Sequence, residues 1–140
     1  MRSPSKDLKR PFYFSLSAQS GVPLYRQIVD QVLAAIATGT LAPGDQLPTV
    51  RQVAVDLAIN LNTVLRAYRE LEIRGALDSQ QGSGTFVAEQ RNAPDTTERH
   101  RVLRELTSEF VARAGAYGFS AEDVADYLQE WLNKHHRRID

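Results

Sequence analysis

The sequence has no cysteine in 140 residues, which excludes a disulfide framework and any thiolate metal site. Long apolar runs are also missing. The longest, Val32 to Ala37, falls far short of the ~20 residues a helix needs to cross a bilayer. The first residues, Met1 to Phe12, are charged with no apolar stretch behind them, so no secretory signal is read there and the cytoplasm is the expected compartment. An excess of one charge sign is absent as well: 17 Lys and Arg balance 17 Asp and Glu. Phosphate neutralisation drives non-specific binding to nucleic acid, so overall composition gives no hint of such a partner. Dividing the chain after Ala88 leaves 9 basic against 7 acidic residues, +2, in the first part and 8 against 10, −2, in the second. What is present is 42% hydrophobic and 24% charged residues, the balance of a globular protein with one ordinary domain, or one small domain and an appendage.

Residues 1–20 read as an N-terminal arm. Arg2, Lys6, Lys9 and Arg10 are either part of a solvated terminus or a basic arm toward phosphates, while Phe12, Tyr13, Phe14 and Leu16 suggest packing. A domain is expected over 21–88. Its first helix should begin near Pro23, with Leu24, Ile28, Val32 and Ala35–Ile36 on one face and Gly39 at its end. The loop LAPGDQLP leaves room for a very short strand. A second helix opens at Thr49, where Gln52 stands at the capping-box position and Val50, Val53, Ala54 and Leu57 form the buried stripe. Arg51 lies in its first turn, where a cation opposes the helix dipole. Such a cation is easier to explain if it faces an external anion, although a surface carboxylate could also satisfy it.

Ala58 to Leu61 reads as a tight turn, and Asn60 as the cap of a third helix that runs to about Arg74 and stops at Gly75. Val64, Ala67, Tyr68 and Leu71 make its buried side, while Asn62, Arg66, Arg69 and Ile73 share the opposite face. Amide and guanidinium groups read adenine and guanine edges bidentately. A solvated helix surface offers the same residues, with Arg66 and Glu70 at ion-pair spacing. Two strand-like runs follow, Ala76–Gln80 and Thr85–Ala88, around the tip Gln81-Gly82-Ser83-Gly84. A phosphate-cradling glycine loop needs a helix after it, and here a strand follows. The fold class is therefore mainly α with a small β-wing, a winged helix-turn-helix followed by two helices.

Residues 89–97 read as a linker and 98–138 as a two-helix dimerisation domain. Leu103, Leu106, Phe110 and Tyr117 recur at helical spacing, with Val111 and Ala114 alongside. Ser120 and Asp123 form a capping box for the last helix, whose apolar face carries Val124, Tyr127, Leu128, Trp131 and Leu132. Two helices alone cannot shield both stripes from water. A second copy of the pair would cover them; folding back on the first domain is the competing arrangement. The basic end, Lys134 to Arg138, complements the helix dipole, as do Glu122, Asp123 and Asp126 at its start. His100, His135 and His136 lack the spacing of a metal site, and no triad is suggested, so no metal, cofactor or enzymatic activity is expected.

The stretch from Pro23 to Val87 resembles the N-terminal domain of the GntR family of bacterial transcription regulators. The match runs through Pro23-Leu24-Tyr25, Gly39-x-Leu41-x-Pro43-Gly44 and Leu47-Pro48-Thr49-x-Arg51. It continues through Asn62-Thr63-Val64-x-Arg66-Ala67-Tyr68, Leu71-Glu72, Gly75 and Gly82-x-Gly84-Thr85-Phe86-Val87. The tail of only about 50 residues looks like the YtrA subfamily, whose two terminal helices dimerise. The resemblance implies a homodimeric repressor bound to a double-stranded, pseudo-palindromic DNA operator, with transporter genes as neighbours. By position Arg51, Thr63, Gln81 and Gly82 match the family's DNA contacts. Together with Thr49, Asn60, Asn62, Arg66 and Arg69 they make up the expected DNA-binding set. Leu61 and Leu65 depart from the family's usual residues; they either touch thymine methyls or pack on neighbouring protein. Ala76 is smaller than the family's usual residue there. A module that binds protein rather than DNA, and a nucleotide-binding enzyme using Gly82-Ser83-Gly84, are the competing functions. No small-molecule effector is identified; Tyr117, Tyr127 or Trp131 would line its pocket in the tail.

Overall fold

The computed structural model describes residues 12–89 and 95–135, so the basic side chains of the arm, most of the linker, His136 and Arg138 lie outside the described residues. The chain divides into two compact units, residues 1–90 and 91–140.

In the first unit, helix α1 (Leu24–Ala37) follows Pro23, which is its N-cap rather than its first helical residue. Ile28, Val29, Val32 and Ala35 are buried from it, one turn-to-turn stripe as the apolar spacing requires. Strand β1 (Gln46–Leu47) is the short strand for which the Pro- and Gly-rich loop left room. Helix α2 (Val50–Leu57) is capped by Thr49, whose Oγ1 accepts from the Gln52 N–H at 3.1 Å. Only half of the expected capping box forms. The Gln52 amide turns the other way and donates to Asp56 Oδ1 at 2.9 Å, one helical turn on. Helix α3 (Leu61–Ile73) is capped by Asn60, whose Oδ1 accepts from the Asn62 N–H at 2.7 Å. Val64, Ala67, Tyr68 and Leu71 are its buried residues.

Helices α2 and α3 end in the same pair of backbone hydrogen bonds, the Schellman arrangement, which turns the chain through a left-handed residue. After α3 the residue is Gly75, φ +76°, with Ala76 N–H bonded to Leu71 C=O. After α2 it is Ala58, φ 54° and ψ 46°, with Ile59 N–H bonded to Ala54 C=O. Ala58 is the one non-glycine residue among those described that has a positive φ.

Strands β2 (Leu77–Gln80) and β3 (Gly84–Val87) form the hairpin, and β1 adds to its free side, giving the antiparallel order β1-β3-β2. Leu77 faces Val87 and Gln80 faces Gly84, which fixes the tip at residues 81–83. Gln46, the β1 residue paired with Phe86, reaches over Gly84 and donates from Nε2 to the Ser83 carbonyl at 3.1 Å. A Cβ on Gly84 would stand 2.5 Å from that nitrogen, so glycine is required for the reach.

The three helices and the hairpin enclose one core, centred on Ile28, Val32, Val64, Tyr68, Leu71 and Leu77. Ala76 is fully enclosed despite its small size. Phe12, Phe14 and Leu16 pack on this core as their aromatic and aliphatic character predicts. Two glutamines of α1 hold that segment in place. Gln31 exchanges hydrogen bonds with the Ser15 backbone (2.9 and 2.6 Å), and Gln27 does the same with Ser17 (2.8 Å each way).

The second unit is helix α4 (Thr96–Ala116) and helix α5 (Ala121–His135). Helix α4 starts two residues before Glu98, inside the stretch read as linker. Asp95 Oδ1 accepts from the Glu98 N–H at 2.9 Å, a cap whose signal was the Asp-x-x-Glu spacing. The Arg101 guanidinium beside Glu98 holds that carboxyl below its ordinary range, and Arg101 also bonds Glu105 at 2.6 Å. Both groups are solvent-screened, so this network adds little stability. Ser120 and Asp123 form the complete reciprocal box at the start of α5, at 2.9 and 3.0 Å.

Candidate nucleic-acid interface

The outer face of α3 is set by what its inner face buries. With Val64, Ala67, Tyr68 and Leu71 turned into the core, Asn62, Leu65, Arg66, Arg69 and Ile73 line one shallow surface hollow together with Glu70. Four of these are the face read from spacing; Leu65 and Glu70 are its flanks. Tyr68 also fixes how α3 meets the chain ahead of α2, because its hydroxyl donates to the Pro48 carbonyl at 2.6 Å. Burial pushes the Tyr68 phenol above its ordinary pKa, so it stays protonated and able to donate.

The arginines carry the electrostatics. Arg51, in the first turn of α2, and Arg69, on α3, are exposed and form no ion pair among the described residues. Arg66 does not take Glu70, although the spacing allowed it. Glu70 approaches Arg74 instead, 3.4 Å from Oε2 to Nη2, without a well-formed hydrogen bond. An acid preceding its base by four residues is the better order along a helix. The Arg66 guanidinium lies over the ring of Tyr25, with Cζ 3.7 Å from the centroid. Sequence spacing gave no sign of this contact, since Tyr25 is on α1, 41 positions away.

Thr49 and Asn60 each spend an acceptor oxygen on a helix cap, which leaves a hydroxyl proton and an amide NH2 as the donors they could offer a ligand. Thr63 is half-buried beside Asn62. Gln81 and Gly82 are exposed at the tip of the hairpin, on a different element from the α3 hollow. Gln46, which steadies that tip, was not singled out by sequence. Leu61 is 40% exposed at the start of α3 and is not among the residues lining the hollow.

The second unit has its own open groove, about 950 Å³, whose apolar lining is Phe110, Ala114, Phe119, Val124, Tyr127, Leu128 and Trp131, joined by the carboxylates of Asp123, Asp126 and Glu130. It gathers five of the expected dimerisation residues. Leu103 and Leu106 line a separate hollow nearer the start of α4, and Tyr117, 82% exposed, lines neither. No cluster of three or more His, Asp or Glu residues suited to a metal occurs among the described residues, and no described helix is long and apolar enough to cross a membrane.

Three helices with the third presented outward, followed by a hairpin packed on the same core, define a winged helix-turn-helix, an architecture built around a groove-sized helix. Residues 24–87 match the family of bacterial regulatory proteins, gntR family. Over 111 residues the chain is 35% identical to the uncharacterized HTH-type transcriptional regulator YhcF of Bacillus subtilis, covering 79% of this chain and 91% of that one. It is 30% identical over 115 residues to the HTH-type transcriptional repressor YtrA of the same organism, covering 82% and 88%. The solved structure of YtrA from Sulfolobus acidocaldarius, a GntR-family transcription factor, superposes with a TM-score of 0.52 at 30% identity, over 86% of this chain and 97% of that one. The chain belongs to the GntR family of transcriptional regulators and is similar to its YtrA members.

Proposed function

We propose that the protein is a transcriptional repressor that binds a pseudo-palindromic DNA operator as a homodimer, with the operon of a transporter as its target and the cytoplasm as its place of action. One observation carries the DNA assignment: the outward face of α3 holds Asn62, Arg66 and Arg69, and neither arginine forms an ion pair among the described residues. Asn62, Arg66 and Arg69 read base edges in the major groove, Thr63 supports them, and Arg51, Thr49 and Asn60 contact phosphates. Gln81 and Gly82 at the wing tip touch the adjacent backbone. Leu103, Leu106, Phe110, Tyr117, Val124, Tyr127, Leu128 and Trp131 pair two copies through the second unit. The repressor YtrA, similar over most of both chains, supports the direction of regulation.

Selection of binding sites from a random-sequence duplex pool tests this. The expected product is a two-fold motif with half-sites about one helical turn, ~34–36 Å, apart. Binding that stays indifferent to sequence refutes the reading, and retention of a protein partner by an Arg51→Ala/Arg66→Ala variant would favour a protein-interaction module instead. On the selected duplex, Arg66→Ala should lose roughly 1–3 kcal/mol of specific binding. Arg51→Ala should weaken all sequences alike and flatten the salt dependence.

A further inference from the structure

We propose that Tyr25 is a positioning residue for DNA reading: its ring is a fixed platform that holds the Arg66 guanidinium ready for a base edge. The inference rests on the assignment of α3 as the reading helix.

The guanidinium carbon is 3.7 Å from the ring centroid, well within cation–π range. That contact differs in kind from an ion pair. A carboxylate occupies the N–H donors of an arginine and cancels its charge, whereas an aromatic face attracts the cation and leaves donors at its edge. Those donors are what a guanine O6/N7 pair accepts from. The carboxylate best placed to compete, Glu70, is drawn to Arg74.

The platform itself is immobilised. Tyr25 sits in the first turn of α1, half-buried and packed against the core that α1 shares with α3. A long arginine side chain loses rotamer freedom when it docks on DNA. Arg66 has lost part of it beforehand. Arg69, three residues along the same face, has neither a ring nor a carboxylate partner among the described residues. It is therefore an internal control, an arginine on the same helix without a platform.

The test uses the full chain and a duplex selected from the random pool, with a scrambled duplex of equal length beside it, read by fluorescence anisotropy. Tyr25→Phe keeps the ring face and should bind within about twofold of the parent. Tyr25→Leu should lose about 3- to 10-fold on the selected duplex, the scale of ordering one long side chain that the ring had already held, and nothing on the scrambled one. Because Tyr25 also packs on the core, pentafluorophenylalanine at position 25 serves as the fold-preserving variant. It keeps the ring's shape, removes its electron-rich face, and should reproduce the loss. In an Arg66→Ala background the Tyr25 changes should cost nothing further, while in an Arg69→Ala background they should cost the same as in the parent.

A Tyr25 effect of equal size with and without Arg66, or equal on both duplexes, overturns the proposal in favour of simple support of α1. Parent-like affinity of the fluorinated variant overturns it too. If the parent selects no motif at all, the reading-helix assignment fails first and the positioning role falls with it.

Discussion

The two units of this chain solve the same physical problem in opposite ways. Among the described residues, all the buried apolar side chains but one belong to residues 28–88, and the exception is Ala114. In the second unit Phe110, Tyr127 and Leu106 are 59%, 67% and 57% exposed. Both units have well-formed helices with side-chain caps, so local signals are equally good in each. The difference lies in layers. Three helices and a hairpin can enclose a volume; two helices have only one mutual face and must leave the rest of each stripe uncovered. A contiguous exposed apolar surface of this kind marks an interaction site. Reading such a sequence for its helices thus finds both units, but only counting the layers finds which one leaves its apolar stripes uncovered.

The largest expected effect tests whether the burial contrast is energetic. Leu71→Ala, in a fully buried site, should cost ~2–5 kcal/mol in denaturant unfolding, while Leu103→Ala, 64% exposed, should cost far less when measured on dilute protein. Similar costs at the two sites would erase the distinction. Next, Phe110→Asp should weaken self-association by roughly 2 kcal/mol or more, seen by sedimentation as dissociation at concentrations where the parent is paired. A variant that sediments like the parent would place the pairing surface elsewhere. Tyr68→Phe should cost about 1 kcal/mol, since it orphans the Pro48 carbonyl. It carries a pH signature as well. The phenol titrates near 10 when unfolded and higher when folded. Stability from this group is therefore constant below about pH 10 and falls as the pH rises above it. The phenylalanine variant should lack that alkaline component, whereas an identical alkaline profile would count against Tyr68 as its source.

Much of the fold was legible because its signals are local. The helix caps at Thr49, Asn60 and Ser120, the stops at Gly39 and Gly75, and the four inward residues of α3 all depend on neighbours within a few positions. What escaped depends on distance. One exception is local: Gln52 had two partners within four residues and took Asp56. Tyr25 under Arg66, Gln46 over Gly84 and the two glutamines gripping residues 15 and 17 join segments whose meeting is a product of the fold. Composition erred in one direction for the candidate site. Zero net charge hid Arg51, Arg66 and Arg69, none with an acidic partner among the described residues, because the compensating acids lie elsewhere in the chain.

Ala58 gives the bend between α2 and α3 a mechanical character. The same closure is made by Gly75 at the end of α3 and Gly118 at the end of α4, where it is free of steric cost. At Ala58 the methyl group makes the left-handed geometry uphill by roughly 1–2 kcal/mol, yet it also denies the unfolded chain the wide repertoire a glycine has. Relief of that strain against an unfolded-state cost of about 0.4–1 kcal/mol leaves Ala58→Gly between neutral and about 1.5 kcal/mol more stable. Its larger mark should appear in amide hydrogen exchange around Ile59, which should speed up in the glycine variant. Faster exchange there would mark the alanine as a stiffener of this bend, trading a little native-state strain for a narrower spread of angles between the helix proposed to touch backbone and the helix proposed to read sequence.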